Sequence, residues 1–362
     1  MRHLAPQLHL APYRTLTTLP QSWPYAPSSY IELAHLAEQH NAHAVVQLHP
    51  QSDRLPWPCI LALANPVLRD GVGLSIARYQ LSRYRGLLNS AVLRPLTRVL
   101  YCVEIYYPLA PDAAYSRSFL QHLASVVPAG DTALHEDLIL WPSLEAINQS
   151  IAVAQVGVGV GHFVQPPNPD IASLLTRILN SMFAGIERSA SYWQKGRPLY
   201  PLRNMASCQT TFQPKDPPNS PLVDHPYSAH ESHTDTSSML ELFHLAVSNL
   251  QEIWSLIMSP GTLLGIKRLA EQPAAEFKMA DTLWVRIVWD FLLAYRNRSL
   301  SWTHIFGALV PLYMAWAASH VRLVADLSDA EAERHIAALA MTFGDEKPYL
   351  MARWRWPDRF TP

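Results

Sequence analysis

The sequence predicts an α/β domain followed by an all-helical one, and three observations carry that reading. Apolar runs of strand length alternate with amphipathic segments through the first half. A stretch through Pro214, Pro217, Pro218, Pro221 and Pro226 then breaks the pattern, because proline blocks both helix and ladder hydrogen bonds. From Thr236 onward every periodic segment has helical spacing. The expected boundaries are an extended lead-in over 1–27, an α/β domain over 28–195, a proline-rich linker over 196–235 and a helical domain over 236–362.

In order along the chain, Ser29 to His40 reads as a helix capped by Ser28 or Ser29, with Ile31, Leu33, Leu36 and Ala37 on one face. Ala44 to Leu48 is a short apolar run, read as a buried strand. Cys59 to Ala64 reads as helix, stopped at Asn65-Pro66 by the proline. Leu93 to Glu104 and His135 to Ser150 are amphipathic without a clean period. Ile151 to Val160, rich in valine and glycine, reads as a strand. Asp170 to Ala184 places Ile171, Leu174, Leu175, Ile178, Leu179 and Met182 on one helical stripe. The strongest helices of the second half span Met239 to Met258, Leu283 to Tyr295, Ile305 to Val324 and Ala330 to Thr342.

The 362 residues suffice to bury a large core, and a net charge of -1 gives no electrostatic reason to expect nucleic acid or an acidic membrane as partner. The 3 cysteines are far apart and form no CxxC pair, which argues against a disulfide framework or a structural zinc and points to a reducing cytoplasm. No signal peptide is expected from Met1 to Thr18. Ile305 to Val324 is the most apolar stretch, but Pro311, His320 and Arg322 interrupt it, so it reads as a core helix rather than a membrane span.

Three blocks of residues carry a family resemblance. The first holds Arg83-Tyr84-Arg85-Gly86, then Arg94-Pro95-Leu96-Thr97-Arg98-Val99-Leu100-Tyr101, then Pro108, Asp112 and Ser116. The second is Gly161-His162 with Pro166 to Asp170 and the helix ending at Phe183. The third runs from Leu283 to Phe291, through Pro311-Leu312-Tyr313, to Lys347-Pro348-Tyr349-Leu350 and Arg353-Trp354. In order and spacing these resemble the retaining glycosyltransferases of GT-A fold that make mannosylglycerate or glucosylglycerate, over roughly residues 30 to 355.

The resemblance implies hexosyl transfer from a nucleotide sugar to glycerate or a similar small acceptor, with a divalent metal, Mg or Mn, as cofactor. It gives Asp137 and Asp112 as catalytic candidates, Arg83, Arg98 and Ser116 as substrate-binding candidates and His162 as a metal ligand. The position of the catalytic aspartate falls on Asp137 or on Ile139, depending on a small gap before Trp141. Each residue also has a plainer reading. His162 suits a locally hydrogen-bonded strand end, and Glu136 with Asp137 suit a helix N-terminus. Asp112 and Ser116 suit loop capping. Arg83, Arg85, Arg94 and Arg98 suit a solvated surface, or else meet a phosphate or glycerate carboxylate. His225, His230, Glu231, His233 and Asp235 read as a solvated loop rather than a metal site.

The departures from the family lie on its donor side. No strand-loop-helix unit for the nucleotide base is expected before Ser28, so the GT-A domain reads as incomplete. The strand ending at Leu48 continues as His49-Pro50-Gln51 where the family has Asp-x-Asp, and Asp53 falls two residues late. Two carboxylates are needed to fix a divalent ion against a sugar diphosphate. Ala110-Pro111-Asp112 replaces a Gly-Gly-Asp loop and loses the close backbone approach that glycine allows. The expectation is impaired or lost transfer activity. The alternative is a non-catalytic partner of a full-length homologue, or a homo-oligomer joined near Ala44 to Leu48 because exposed strand edges recruit partners.

Overall fold

The structure, a computed structural model, describes residues 27–48, 55–79, 83–84, 86–109, 112–127, 140–158, 171–196, 199, 202–205 and 236–356. It has an α/β part and a helical part. The first carries helices α1 (Pro27–Gln39), α2 (Trp57–Arg69), α3 (Arg94–Tyr101), α4 (Arg117–Ser125), α5 (Trp141–Asn148), α6 (Ile171–Arg188) and α7 (Ala190–Trp193). Its strands are β1 (Ala44–Gln47), β2 (Leu74–Arg78), β3 (Ala113–Ser116), β4 (Val153–Gly157) and β5 (Arg203–Met205). The helical part holds α8 (Thr236–Asn249), α9 (Gln251–Ile257), α10 (Pro260–Ala270), α11 (Asp281–Asn297), α12 (Trp302–Val324), α13 (Asp329–Asp345) and α14 (Lys347–Arg355), with no strand among the described residues from 236 onward.

The 5 strands form one mixed sheet in the order β1-β3-β2-β4-β5. Strands β1 and β2 both pair antiparallel with β3, while β4 lies parallel to β2 and β5 parallel to β4. Four strands therefore point one way and only β3 is reversed. Alternation along each strand sorts side chains to two faces. Ala77, Ala114 and Val156 meet Cys59 and Leu63 of α2 on one face. Leu74, Ile76, Ala113, Tyr115 and Val153 join the larger core on the other, with α1, α3, α4, α5 and α6.

Several details depart from the sequence reading. The buried stripe of α1 is Tyr30, Leu33, Ala34 and Ala37, whereas Ile31 is 36% exposed. The aromatic ring, not the isoleucine, sets the helix rotation, because Tyr30 packs edge-on against both Tyr115 and Trp141. Helix α2 runs through Pro66 to Arg69 instead of stopping. The Pro66 carbonyl accepts from Asp70 and Val72 N–H, which closes the helix end beyond the proline. Strand β5 lies inside the stretch 196–235 expected to be a linker, since three residues of parallel pairing to β4 suffice to extend the sheet.

The helical part packs directly on the α/β part. Helix α12 lies against α6, α13 lies against α3, and one apolar core runs through both parts. A π-helical turn, Asn89–Leu93, leads into α3 and explains one of these joins. Pro95 has no N–H to return to the Ala91 carbonyl four residues earlier. The indole Nε1 of Trp284, on α11, donates to that carbonyl at 3.0 Å. Within the helical part Asp290 is fully buried. It accepts from Ser259 N–H at 3.0 Å, Thr262 hydroxyl at 2.8 Å, Tyr349 hydroxyl at 2.5 Å and the Arg353 guanidinium. Two segments of the third resemblance block thus meet at one carboxylate.

Candidate functional site

In open α/β sheets ligands bind beyond the carboxyl ends of the parallel strands. Here that edge is marked by Leu48 after β1, Tyr79 after β2, Val158 after β4 and Asp112 just before the reversed β3. Asp112 is 2% exposed. Its Oδ2 accepts the Tyr79 hydroxyl proton at 2.7 Å, and its own N–H donates back to that hydroxyl at 3.2 Å. Tyr79 in turn packs edge-on against Tyr107, whose hydroxyl burial and the nearby Glu333 push up to about 12. The alternation that buries Ala77 on the α2 face carries Tyr79 to the same face, which is why it meets Asp112.

On the other face of the same edge stands a cation-aromatic-carboxylate group. The Arg78 guanidinium lies 3.6 Å and that of Arg94 4.3 Å from the centre of the Tyr106 ring. Arg94 Nε donates to Glu104 at 3.0 Å, and its other arm reaches Glu333 on α13 at 2.6 Å. Burial lowers the Arg94 pKa, but Glu333 and Glu104 more than reverse this and leave it raised. Arg98 shares Glu104. The segment 104–106 is fixed by Gln155, which donates to the Glu104 carbonyl at 2.9 Å and accepts Tyr106 N–H at 2.8 Å. Asn89, in the π turn, donates to the Tyr106 carbonyl at 2.7 Å.

The residues expected from sequence divide into three groups. Asp112 stands at the carboxyl edge, and Arg98 belongs to the group around Glu104, where its charge is already matched. Arg94 is 6% exposed, so it is a buried ion-paired side chain and not a solvated one. Arg83 donates to the Leu327 carbonyl, with its guanidinium 5.2 Å from the centre of the Tyr84 ring, tying the segment before the π turn to the connection between α12 and α13. Ser116 is at the opposite end of β3 from Asp112 and caps α4, its hydroxyl accepting Phe119 N–H at 3.1 Å. Asp137, His162, Glu136, Ile139, Arg85, His49, Asp53 and the histidines of 225–233 lie outside the described residues.

Tyr79, Tyr106, Glu104 and Gln155 were missed in the sequence. The one signal for them was the short alternating run Leu74 to Arg78, which marks a strand whose end needs company. No His, Cys, Asp or Glu group able to hold a metal ion occurs among the described residues. The carboxylates present do not fit a divalent cation, because Asp112 is engaged by Tyr79 and Glu104 by two arginines. No helix among the described residues is long and apolar enough to cross a membrane. No family model matches the sequence, and no curated protein matches it.

Proposed function

We propose that the chain is a glycosyltransferase-like protein of the GT-A kind. Its ancestral chemistry is hexosyl transfer from a nucleotide sugar to glycerate or a similar small acceptor, and its donor side is impaired. The kinship rests on the sequence resemblance, and the observation that carries the impairment is the end of β1. Where the resemblance calls for Asp-x-Asp, the chain has His49-Pro50-Gln51, neutral groups that cannot balance a hard cation. The open sheet with Asp112 and an aromatic-arginine group at its carboxyl edge supports a retained acceptor-side scaffold. Of the three arginines there, Arg94 and Arg98 are matched by Glu104 and Glu333, which leaves the charge of Arg78, over the Tyr106 ring, to meet a sugar diphosphate.

Isothermal titration with nucleoside diphosphates and nucleotide sugars, with and without manganese, tests the reading. The expected outcome is weak donor binding that manganese does not strengthen. Micromolar, manganese-dependent binding with sugar transfer to glycerate would overturn the impairment.

A second reading, a non-catalytic partner of a full-length glycosyltransferase, is favoured by one observation. Strand β1 is terminal in the sheet and pairs with β3 alone among the described residues. A monodisperse monomer by light scattering, with no co-purifying homologue, would count against it.

A further inference from the structure

A second cavity shares no residue with the sheet's carboxyl edge. It has a volume of about 420 Å³ and sits among α5, α6, α7 and the end of α4. Asn148 and Gln149, on its wall, lead through Ser150 toward the start of β4. Its size falls within the range of small-molecule sites.

Its lining is sorted by chemistry. Trp141, Leu144 and Gly185 supply an apolar floor, and Arg188 and Lys195 supply two cations. Among the described residues no carboxylate ion-pairs with either cation. The nearby acids are engaged elsewhere: Glu145 holds His122 at 2.8 Å and Gln149 at 3.0 Å, and Glu187 holds Arg298 at 2.8 Å. Arg188 remains open to solvent, yet partial desolvation lowers its pKa below the usual arginine value. Asn148 donates through Nδ2 to the Ser189 hydroxyl at 2.7 Å, while its buried Oδ1 has no hydrogen-bond partner.

We propose that this cavity binds a small phosphorylated sugar or polyol. The phosphate dianion is taken by the Arg188 fork and the Lys195 ammonium, which match its two charges where a single carboxylate would match one. Ligand hydroxyls donate to the Glu145 carboxylate, and the carbon skeleton lies over Trp141 and Leu144. The site is independent of the transfer reading, since it shares no residue with the carboxyl edge.

The test is isothermal titration of the full chain with glucose 6-phosphate, ribose 5-phosphate and glycerol 1-phosphate, with glucose and inorganic phosphate as separate arms. At least one ester should bind, free glucose should not, and inorganic phosphate should bind at least about tenfold more weakly than that ester. Arg188→Gln and Lys195→Gln should each weaken ester binding by about tenfold or more while leaving the thermal midpoint unchanged, since among the described residues no carboxylate ion-pairs with either side chain. Failure of all three esters to bind at millimolar concentration overturns the proposal. So does a double variant, folded by its melting curve, that binds an ester as tightly as the wild type. Inorganic phosphate binding as tightly as the esters overturns the assignment of a hydroxylated ligand.

Discussion

Tyr79 and Asp112 exchange two hydrogen bonds: the phenol donates to the buried carboxylate at 2.7 Å and accepts from the aspartate's backbone N–H at 3.2 Å. The pair stitches the exit of β2 to the entry of β3, where the chain must reverse direction. Tyr79→Phe removes both bonds and leaves a buried carboxylate oxygen short of a donor, at a cost of about 1–3 kcal/mol. Urea denaturation should show that loss as a lower midpoint with an unchanged slope. An unshifted midpoint would mean that water or another group replaces the phenol.

Arg94 and Arg98 share Glu104 but differ in what surrounds them. Arg94 is buried, stacks on Tyr106 and also holds Glu333, so Arg94→Ala should cost toward the lower end of about 3–5 kcal/mol. Arg98 has a side chain 30% exposed and one partner, and Arg98→Ala should cost about 1 kcal/mol or less. The two variants compared by chemical denaturation check the ranking, and equal losses would refute it.

Asp290 is the most heavily engaged carboxylate of the helical part, with donors from the start of α10, from Ser259 before it and from α14. Asp290→Ala takes the charge partner from the Arg353 guanidinium and an acceptor from three neutral donors. The expected cost is about 4 kcal/mol, large enough to leave the protein marginal. Asp290→Asn keeps the shape but turns an amide NH2 toward one pair of these donors, so it should cost less than Asp290→Ala and still lower the midpoint. The readout is soluble yield together with thermal midpoint.

A pH dependence should come from His320. Its ring is 4% exposed, stacks on Trp316 at 4.9 Å and faces His335 at 5.6 Å. Burial first, and then the His335 charge, hold its pKa down to about 4, against 6.5 for a free imidazole. The native pKa is depressed, so the unfolded chain takes up the proton first. The stabilisation is complete above about 6.5 and is lost as pH falls toward about 4, on the order of 3 kcal/mol in all. Unfolding midpoints between pH 7 and pH 5 should fall less steeply in His320→Gln than in the wild type, and identical slopes would exclude this residue.

Legibility followed sequence distance. The strands β1 and β4 and the long helices α6, α11, α12 and α13 were visible because their periodicity is local. Strand β3 was not, since Ala113-Ala114-Tyr115-Ser116 carries too little apolar bulk to signal a strand. Strand β5 was hidden by neighbouring prolines. Asp112 was picked out as a residue, but Tyr79 is 33 positions away and only the sheet brings them together. The Asp290-to-Arg353 bond spans 63 positions and the Trp284-to-Ala91 bond spans 193, distances over which no residue pattern carries information.

That last bond has a consequence for how the chain can be divided. The Ala91 carbonyl, which Pro95 cannot serve, takes the Trp284 indole of α11, and Arg94 reaches Glu333 on α13. Each half therefore presents the other with unmet polar groups and a bare apolar face. Two separately expressed pieces, cut between residues 206 and 235, should each be poorly soluble alone. Mixed, they should recover one shared melting transition, as complementing fragments of a single folding unit.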